Sequence, residues 1–502
     1  PIEHPIAPIL RRMIGPERPG DTGVEGEDMP DGTTSRAVLA GALLDEAESL
    51  LERGVHPQSA ISGFETARMV AFEEIQSAQT DFAAFPDPRA ARVATAATAM
   101  TGNVLGGNRE TMAALVADAV ETVGMPTAKS FDVRRTSDGS ITETRLVRGA
   151  VLGRNSRVLD EMPREVTDAS VLVLDGHDRG GLQERDAQGD VSLAIDSPGD
   201  ISDVESVRRT RKAEVVAGFE AAGVDVVVTH LGIDRDYQRL LADAGIVGIR
   251  NVVPLDLSRV ARATGARPVL DPTDVSATDL GTAGTVRELA VDPYGDRRKR
   301  RRMTLFEDCR DPETVTVLLR GVSDQVGDQA ATAVRKGAFA VGLAATGDGD
   351  AAGVVPGGGS IHVRVADAIR DRAESVDERS ALAIDAYADA LDRLVGTLAR
   401  NGGLDPLTVV PDIRAAQSSG TAAAGLVFPG GAVADAVEAG VLDPAPVVRD
   451  VHLYATDVAI RLLRIDDTID AVHSADTVDT DDVLYDEPAE LQEQTLEERE
   501  GE

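Results

Sequence analysis

The sequence predicts a multidomain chain, α and α/β, in which an all-helical unit accompanies a separate α/β unit. Three observations carry that expectation. At 502 residues the chain is long enough for about three domains of ~100–200 residues each. Apolar residues recur at helical spacing toward both ends, whereas between residues 224 and 270 short β-branched runs alternate with helical segments. No apolar run approaches the ~18 residues needed to cross a bilayer, and no charged-then-apolar leader opens the chain, so a soluble cytoplasmic protein with no membrane partner is expected.

Charge narrows the function classes. The chain carries 86 acidic against 51 basic residues, a formal net charge of −35, and only Lys129, Lys212, Lys299 and Lys336 are lysine. A nucleic-acid partner would need a positive face, so none is expected. The single cysteine, Cys309, excludes an intrachain disulfide and a cysteine-built metal site, and reads as a core thiol. His4, His56, His177, His230, His362, His452 and His473 form no H-E-x-x-H pair, and no G-x-S-x-G elbow occurs. Each histidine is expected at a surface or a cap.

Taken in order, residues 1–30 hold one short apolar patch and then a Gly/Pro/acidic stretch without periodicity. Asp31-Gly32-Thr33-Thr34 opens a helix with apolar residues at Val38, Leu39, Ala42, Leu43, Ala47, Leu50 and Leu51, closed by Gly54 and Pro57. The start of such a helix offers unpaired backbone N–H groups and the positive end of its dipole. Gly32 would let a phosphate approach, Thr33, Thr34 and Ser35 offer hydroxyls, and Asp31 could hold a Mg²⁺ arriving with it. The same residue types are ordinary helix caps, and alone the turn fits either role. Further helices are expected over 58–79, 89–100 and 108–123, then a strand pair over 129–147 turning at Ser137-Asp138-Gly139.

After a short apolar strand at 171–174, residues 176–200 are too polar for a core of their own and precede a helix over 203–222. The strands VDVVVTH, IVGIRNVV and ARPVL then alternate with helices, as in parallel βαβ units. The basic run 297–302 falls in an expected hairpin between Leu289 and Phe306 and reads as a solvated edge. A helix over 326–343 and a Gly/Asp-rich loop lead to Val354-Val355-Pro356-Gly357-Gly358-Gly359. The loop glycines lack dinucleotide-fold spacing. The triple glycine would let a flat ring or a phosphate lie against the backbone, a plain flexible turn being the other reading. The last third is helical, interrupted by Asn401-Gly402-Gly403, a loop over 420–431 and Gly440-Val441-Leu442-Asp443-Pro444, and residues 476–502 form an acidic solvated tail.

These phrases in this order resemble the group II chaperonins, the archaeal thermosome and the cytosolic TCP-1 ring complex. D-G-T-T, the helix and G-V-H-P match the start of its nucleotide-binding region. VARATGAR at 260–267, DCRDPETVTVLLRG at 308–321, V-V-P-G-G-G, SALAIDAYADALDRL, N-G-G-L-D and G-V-L-D-P follow as the family's later landmarks. The resemblance implies an all-helical equatorial domain split between 1–100 and 354–475, and a small α+β intermediate domain at 101–147 and 322–353. It further implies an α/β apical domain over 148–321 with a helical protrusion, a lid arm at 176–222, and a disordered tail over 476–502. ATP and Mg²⁺ are the implied cofactors. Their implied ligands are Asp31, which also takes the metal, with Gly32, Thr33, Thr34, Ser35, Gly357, Gly358, Gly425 and Asp443. The implied partners are other chaperonin subunits in a double ring, and non-native protein clients enclosed by it.

Two departures bear on hydrolysis. Glu3-His4-Pro5 matches a phrase well inside the family's first domain, so a glycine-rich phosphate loop and one catalytic aspartate would fall ahead of Pro1. The second water-activating aspartate is replaced by Lys336, in A-V-R-K-G-A. A lysine cannot take the water's proton, so no catalytic residue is assigned and hydrolysis is expected to drop by roughly 10²- to 10⁴-fold. Asp328 lies two turns too early to substitute. The acid-rich, lysine-poor composition also resembles proteins of salt-loving archaea, and a divergent halophilic member should loosen at low salt. A non-hydrolysing structural or regulatory ring subunit is the alternative.

Overall fold

The computed structural model describes residues 32–464 apart from 103–104, 154–157, 176–181, 183–197, 292–300, 347–351 and 377. Asp31, the first part of the expected lid arm, the first part of the basic run, the acidic tail, His4, His177 and His473 therefore lie outside the described residues.

Helices from both ends of the chain share one core. α1 (Thr33–Glu52), α2 (Pro57–Ala78), α9 (Ser360–Ala373), α10 (Glu378–Asn401) and α12 (Ala445–Leu463) bury Leu39, Leu43, Phe64, Ile369, Leu391 and Val451 together. α2 starts where its sequence says it should. The His56 Nδ1 accepts from the Gln58 amide at 3.1 Å, and Pro57 sits at the first helical position. A Cβ on Gly63 would stand 2.4 Å from that of Ala383, so glycine is what allows α2 and α10 to meet so closely. Outside this bundle, α11 (Pro406–Ser418) and the hairpin β11 (Ala424–Val427) and β12 (Ala432–Asp435) pack on Val363 and Val395.

A second core joins α3 (Pro88–Ala99), α4 (Arg109–Val123) and α8 (Asp324–Thr346) to a small sheet. Its order is β1 (Phe131–Arg135), β9 (Val315–Leu319), β2 (Arg145–Val147), with β1 parallel and β2 antiparallel to β9. The expected pairing of the two strands within 129–147 is therefore corrected. β9 lies between them because all five of its residues are buried, and a strand apolar on both faces takes the centre of a sheet.

The third unit is a sheet of order β3 (Ala150–Leu152), β8 (Arg301–Glu307), β7 (Gly281–Val291), β4 (Glu165–Leu174), β5 (Val226–Thr229), β6 (Val247–Ile249). Only β4, β5 and β6 run parallel; β3, β8, β7 and β4 pair antiparallel. The expected βαβ alternation thus covers half of the sheet, and the ARPVL strand reduces to a single bridge at Val269. Alternate residues of β4 sort to opposite faces. Val171 and Val173 pack under α7 (Pro254–Thr264), while Leu172 and Leu174 face Phe219 of α5 (Pro198–Ala222) and Leu241 of α6 (Arg235–Asp243). The expected hairpin between Leu289 and Phe306 is present as β7 and β8, and Arg302 pairs with Asp160 at 3.2 Å.

A buried ion-pair cluster ties the small sheet to α7. Asp132 on β1 forms an ion pair with Arg134, its Oδ2 2.5 Å from Nε, and accepts Arg259 Nη1 at 3.0 Å, and Asp256 pairs with the same two arginines. Arg259 Nε donates to the Ala128 carbonyl at 2.9 Å, filling the remaining face of the guanidinium. Among the described residues, no helix is long and apolar enough to cross a membrane.

Candidate functional site

Gly32 is the N-cap of α1, in left-handed conformation at φ 77°, with no side-chain cap. Its carbonyl accepts the Arg36 amide at 2.9 Å, the first intrahelical bond, and the amides of Thr33, Thr34 and Ser35 precede it, with no partner among the described residues. Capping by these side chains does not occur: Thr33 and Thr34 are the first two helical residues, and Thr34 is exposed. A Cβ on Gly32 would meet Val447 Cγ1 at 3.0 Å and Val451 Cγ2 at 3.1 Å, which seats the turn on the first two turns of α12. One turn along, buried Arg36 reaches Asp450 Oδ2 at 3.4 Å and lies 4.6 Å from the Tyr454 ring centre, fixing α1 against the same helix.

The second bend follows β10 (Val354–Pro356), which pairs antiparallel with β13 (Leu442–Pro444) so that Val355 lies opposite Asp443. Gly357 donates to the Val441 carbonyl at 2.9 Å, and Gly358 and Gly359 take φ values of 63° and 81° before α9 begins. The Gly358 carbonyl accepts the Leu426 amide at 2.8 Å. There is no room here for a side chain: a Cβ on Gly358 would stand 2.2 Å from the Leu426 carbonyl oxygen, and one on Gly425 would stand 2.7 Å from that of Gly357. Asp443 is half-buried, its Oδ2 3.0 Å from where a Gly357 Cβ would be. Four of the expected residues, Gly357, Gly358, Gly425 and Asp443, are thus brought together where bare backbone packs closely beside a carboxylate.

Gly32, Thr33, Thr34 and Ser35 approach this site through α12. That helix begins at Ala445, directly after β13, and its Val447 is the residue under Gly32. Both bends therefore border one short segment, Asp443 to Val447. α8 abuts the same segment: the Ala344 carbonyl accepts from Gly353 at 2.7 Å, and the Gly353 carbonyl accepts from Ala445 at 3.0 Å. Lys336 lies eight residues upstream of Ala344, about 12 Å along α8. It is half-buried and has no carboxylate partner among the described residues. Asp328 is engaged elsewhere, at 3.0 Å from Arg135.

Two features escaped the sequence reading. Gln417, near the end of α11, places its Nε2 3.0 Å from the Ser360 carbonyl and 3.0 Å from the Ala424 carbonyl. His362 and His452 are not surface or capping residues: their rings stack with centres 5.3 Å apart, and His452 is fully buried. Thr456 Oγ1 donates to the His452 carbonyl at 2.6 Å, so the Tyr387 hydroxyl donates to Thr456 Oγ1 at 2.9 Å. His452 Nδ1 then donates to Tyr387 at 3.2 Å, and its Nε2 accepts from His362 Nδ1 at 3.3 Å. In this arrangement each ring carries one proton and is neutral. Burial accordingly pushes His362 down to about 4, and burial with the neighbouring ring holds His452 well below its usual range. The core position of Cys309 is borne out, and burial beside Asp308 and Glu307 pushes its thiol up to about 12, which removes it as a nucleophile.

The model of the TCP-1/cpn60 chaperonin family matches residues 1–473. The chain belongs to the TCP-1/cpn60 chaperonin family. Within that family it is similar to a thermosome subunit of Methanopyrus kandleri, 34% identical over 477 residues that make up 94% of this chain and 83% of that protein. It is also similar to thermosome subunit alpha of Halobacterium salinarum, 33% identical over 473 residues, 94% of this chain and 80% of that one. Among solved structures it resembles the open-state monomer of a group II chaperonin from Methanococcoides burtonii. That match has 28% identity and a TM-score of 0.61, covering 87% of this chain and 100% of that one. The mixed helical and sheet architecture of this chaperonin-family chain agrees with that of a group II chaperonin.

Proposed function

We propose that this chain is a group II chaperonin-type subunit that binds ATP with Mg²⁺, assembles with other chaperonin subunits into a double ring, and encloses non-native proteins in the cytoplasm. The observation that carries the reading is the convergence of Gly357, Gly358, Gly425 and Asp443, with the Gly32 turn seated on the adjoining helix. What supports a nucleotide here is the start of α1, whose first amides lie free of intrahelical partners, the left-handed glycines that open α9, and a carboxylate suited to hydroxyl groups. Thr33, Thr34 and Ser35 would hold phosphate oxygens, and Asp31 would take the metal. The metal supplies charge neutralisation between phosphates when bound.

Hydrolysis is slow in this reading, because Lys336 stands where the family resemblance puts the second aspartate. Equilibrium binding of Mg²⁺-ATP in molar KCl tests the first part. The expected result is saturable binding that Asp31→Ala weakens by about tenfold or more, as for the loss of a charged ligand worth ~1.5–3 kcal/mol. Affinity unchanged by that substitution would remove the assignment. Phosphate release tests the second part: turnover equal to that of a complete thermosome subunit, and abolished by Asp31→Ala, would refute slow hydrolysis.

The same lysine favours a second reading, a non-hydrolysing structural or regulatory subunit within mixed rings. It requires co-purification with other chaperonin subunits. A ring of this chain alone that refolds a client would exclude it.

A further inference from the structure

We infer that Gln417 is the positioning residue that fixes the triple-glycine bend against strand β11, acting through backbone and never touching the ligand; this rests on the nucleotide reading of that bend. The two walls of the site come from different parts of the chain, the bend before α9 and strand β11, and they meet directly at the Leu426 to Gly358 hydrogen bond. One side chain spans them. Gln417 Nε2 lies 3.0 Å from the Ser360 carbonyl and 3.3 Å from its hydroxyl on one wall, and 3.0 Å from the Ala424 carbonyl on the other. Ser360 directly follows the triple glycine, and Ala424 directly precedes Gly425. Two of the three partners are carbonyls, which only accept, so the amide nitrogen must face both walls and the orientation of the side chain is fixed.

α11 can hold this position because a second residue anchors it. Arg414, one turn earlier, binds Asp367 of α9 at 2.6 Å and Asp392 of α10 at 2.8 and 3.0 Å. Arg414 and Gln417 are three apart on α11, and Ser360 and Asp367 are two turns apart on α9, so the two helices are bracketed at both points. Without Gln417 the two walls would still meet at the Leu426 to Gly358 hydrogen bond and in the packing of Leu426 with Val363 and Val395. Removing the donor would leave the Ser360 and Ala424 carbonyls without their shared partner, and the bend would loosen on the strand.

The test is calorimetric titration of the full chain with Mg²⁺-ADP in molar KCl, for wild type, Gln417→Leu and Gln417→Glu. The expected result is that both variants fold, with unchanged circular dichroism, and bind on the order of tenfold more weakly at neutral pH. Glutamate adds a readout that a purely structural residue would not move. A protonated carboxyl can donate again, so the affinity of Gln417→Glu relative to wild type should recover as pH falls toward the carboxyl range. Should Gln417→Leu fail to fold, that pH profile still decides the question. Wild-type affinity in both variants, or a Gln417→Glu deficit that ignores pH, would overturn the positioning role while leaving the nucleotide reading intact. No binding by wild type would overturn the nucleotide reading, and the positioning role with it.

Discussion

His362 and His452 join α9 to α12, the two helices that carry one bend of the site and support the other. Their hydrogen-bond chain through Tyr387 and Thr456 has a direction in which each ring carries one proton, and burial opposes a second. Because the folded state holds His362 at about 4, below the 6.5 of a free imidazole, the unfolded chain binds more protons between those values. The contribution to stability is fully present above 6.5 and is lost as pH falls toward 4. Urea denaturation across that window should show wild-type stability dropping more steeply than that of His362→Phe, which keeps an aromatic ring in place and has no proton to take up. Equal slopes would mean that the imidazoles are not held neutral. Nothing in the sequence announced this pair. The two histidines are 90 residues apart, and a lone histidine on an apolar helix face gives no sign of a partner.

At the scale of elements, the Asp132, Arg134, Asp256 and Arg259 cluster decides how the small sheet meets α7. Both aspartates and Arg259 have side chains at most 10% exposed, so their attraction is little screened and the loss of one partner strands buried charge. Asp132→Ala should cost about 3–5 kcal/mol, and molar KCl should not restore it. Asp118→Ala, which breaks the exposed 2.7 Å pair with Arg89, should cost under about 1 kcal/mol. Urea midpoints at low and high KCl compare the two, and similar losses would show that the cluster is solvated. Helices were legible in the sequence because their periodicity is local, as in α1 from Val38 to Leu51. Strand partners were not. β1 and β2 looked like a pair because they are neighbours in sequence, yet Phe131 lies opposite Val315. A strand states that it needs a partner, and the central place goes to whichever strand is apolar on both faces. The site was half legible for the same reason: three glycines in a row carry a local signal, whereas Gln417 is an ordinary polar residue until its two carbonyl partners are placed.

Across the whole molecule, a formal charge of −35 opposes compaction through repulsion spread over the surface. Screening shortens its reach to about 3 Å in molar salt, from roughly 10 Å at 0.1 M. Thermal melts followed by circular dichroism should therefore shift upward with KCl, by more than an equal osmolality of a neutral solute produces. A midpoint that ignores salt would show that the acidic residues are already balanced locally, as Arg370 balances Asp389 and Asp392. The seat of Gly32 on Val447 and Val451 has a consequence for the chain's birth. A ribosome that has delivered the first bend, and even the second, has not yet delivered the helix on which the first one rests. Until α12 emerges, more than four hundred residues after Gly32, the nascent polypeptide must leave the first bend without its seat.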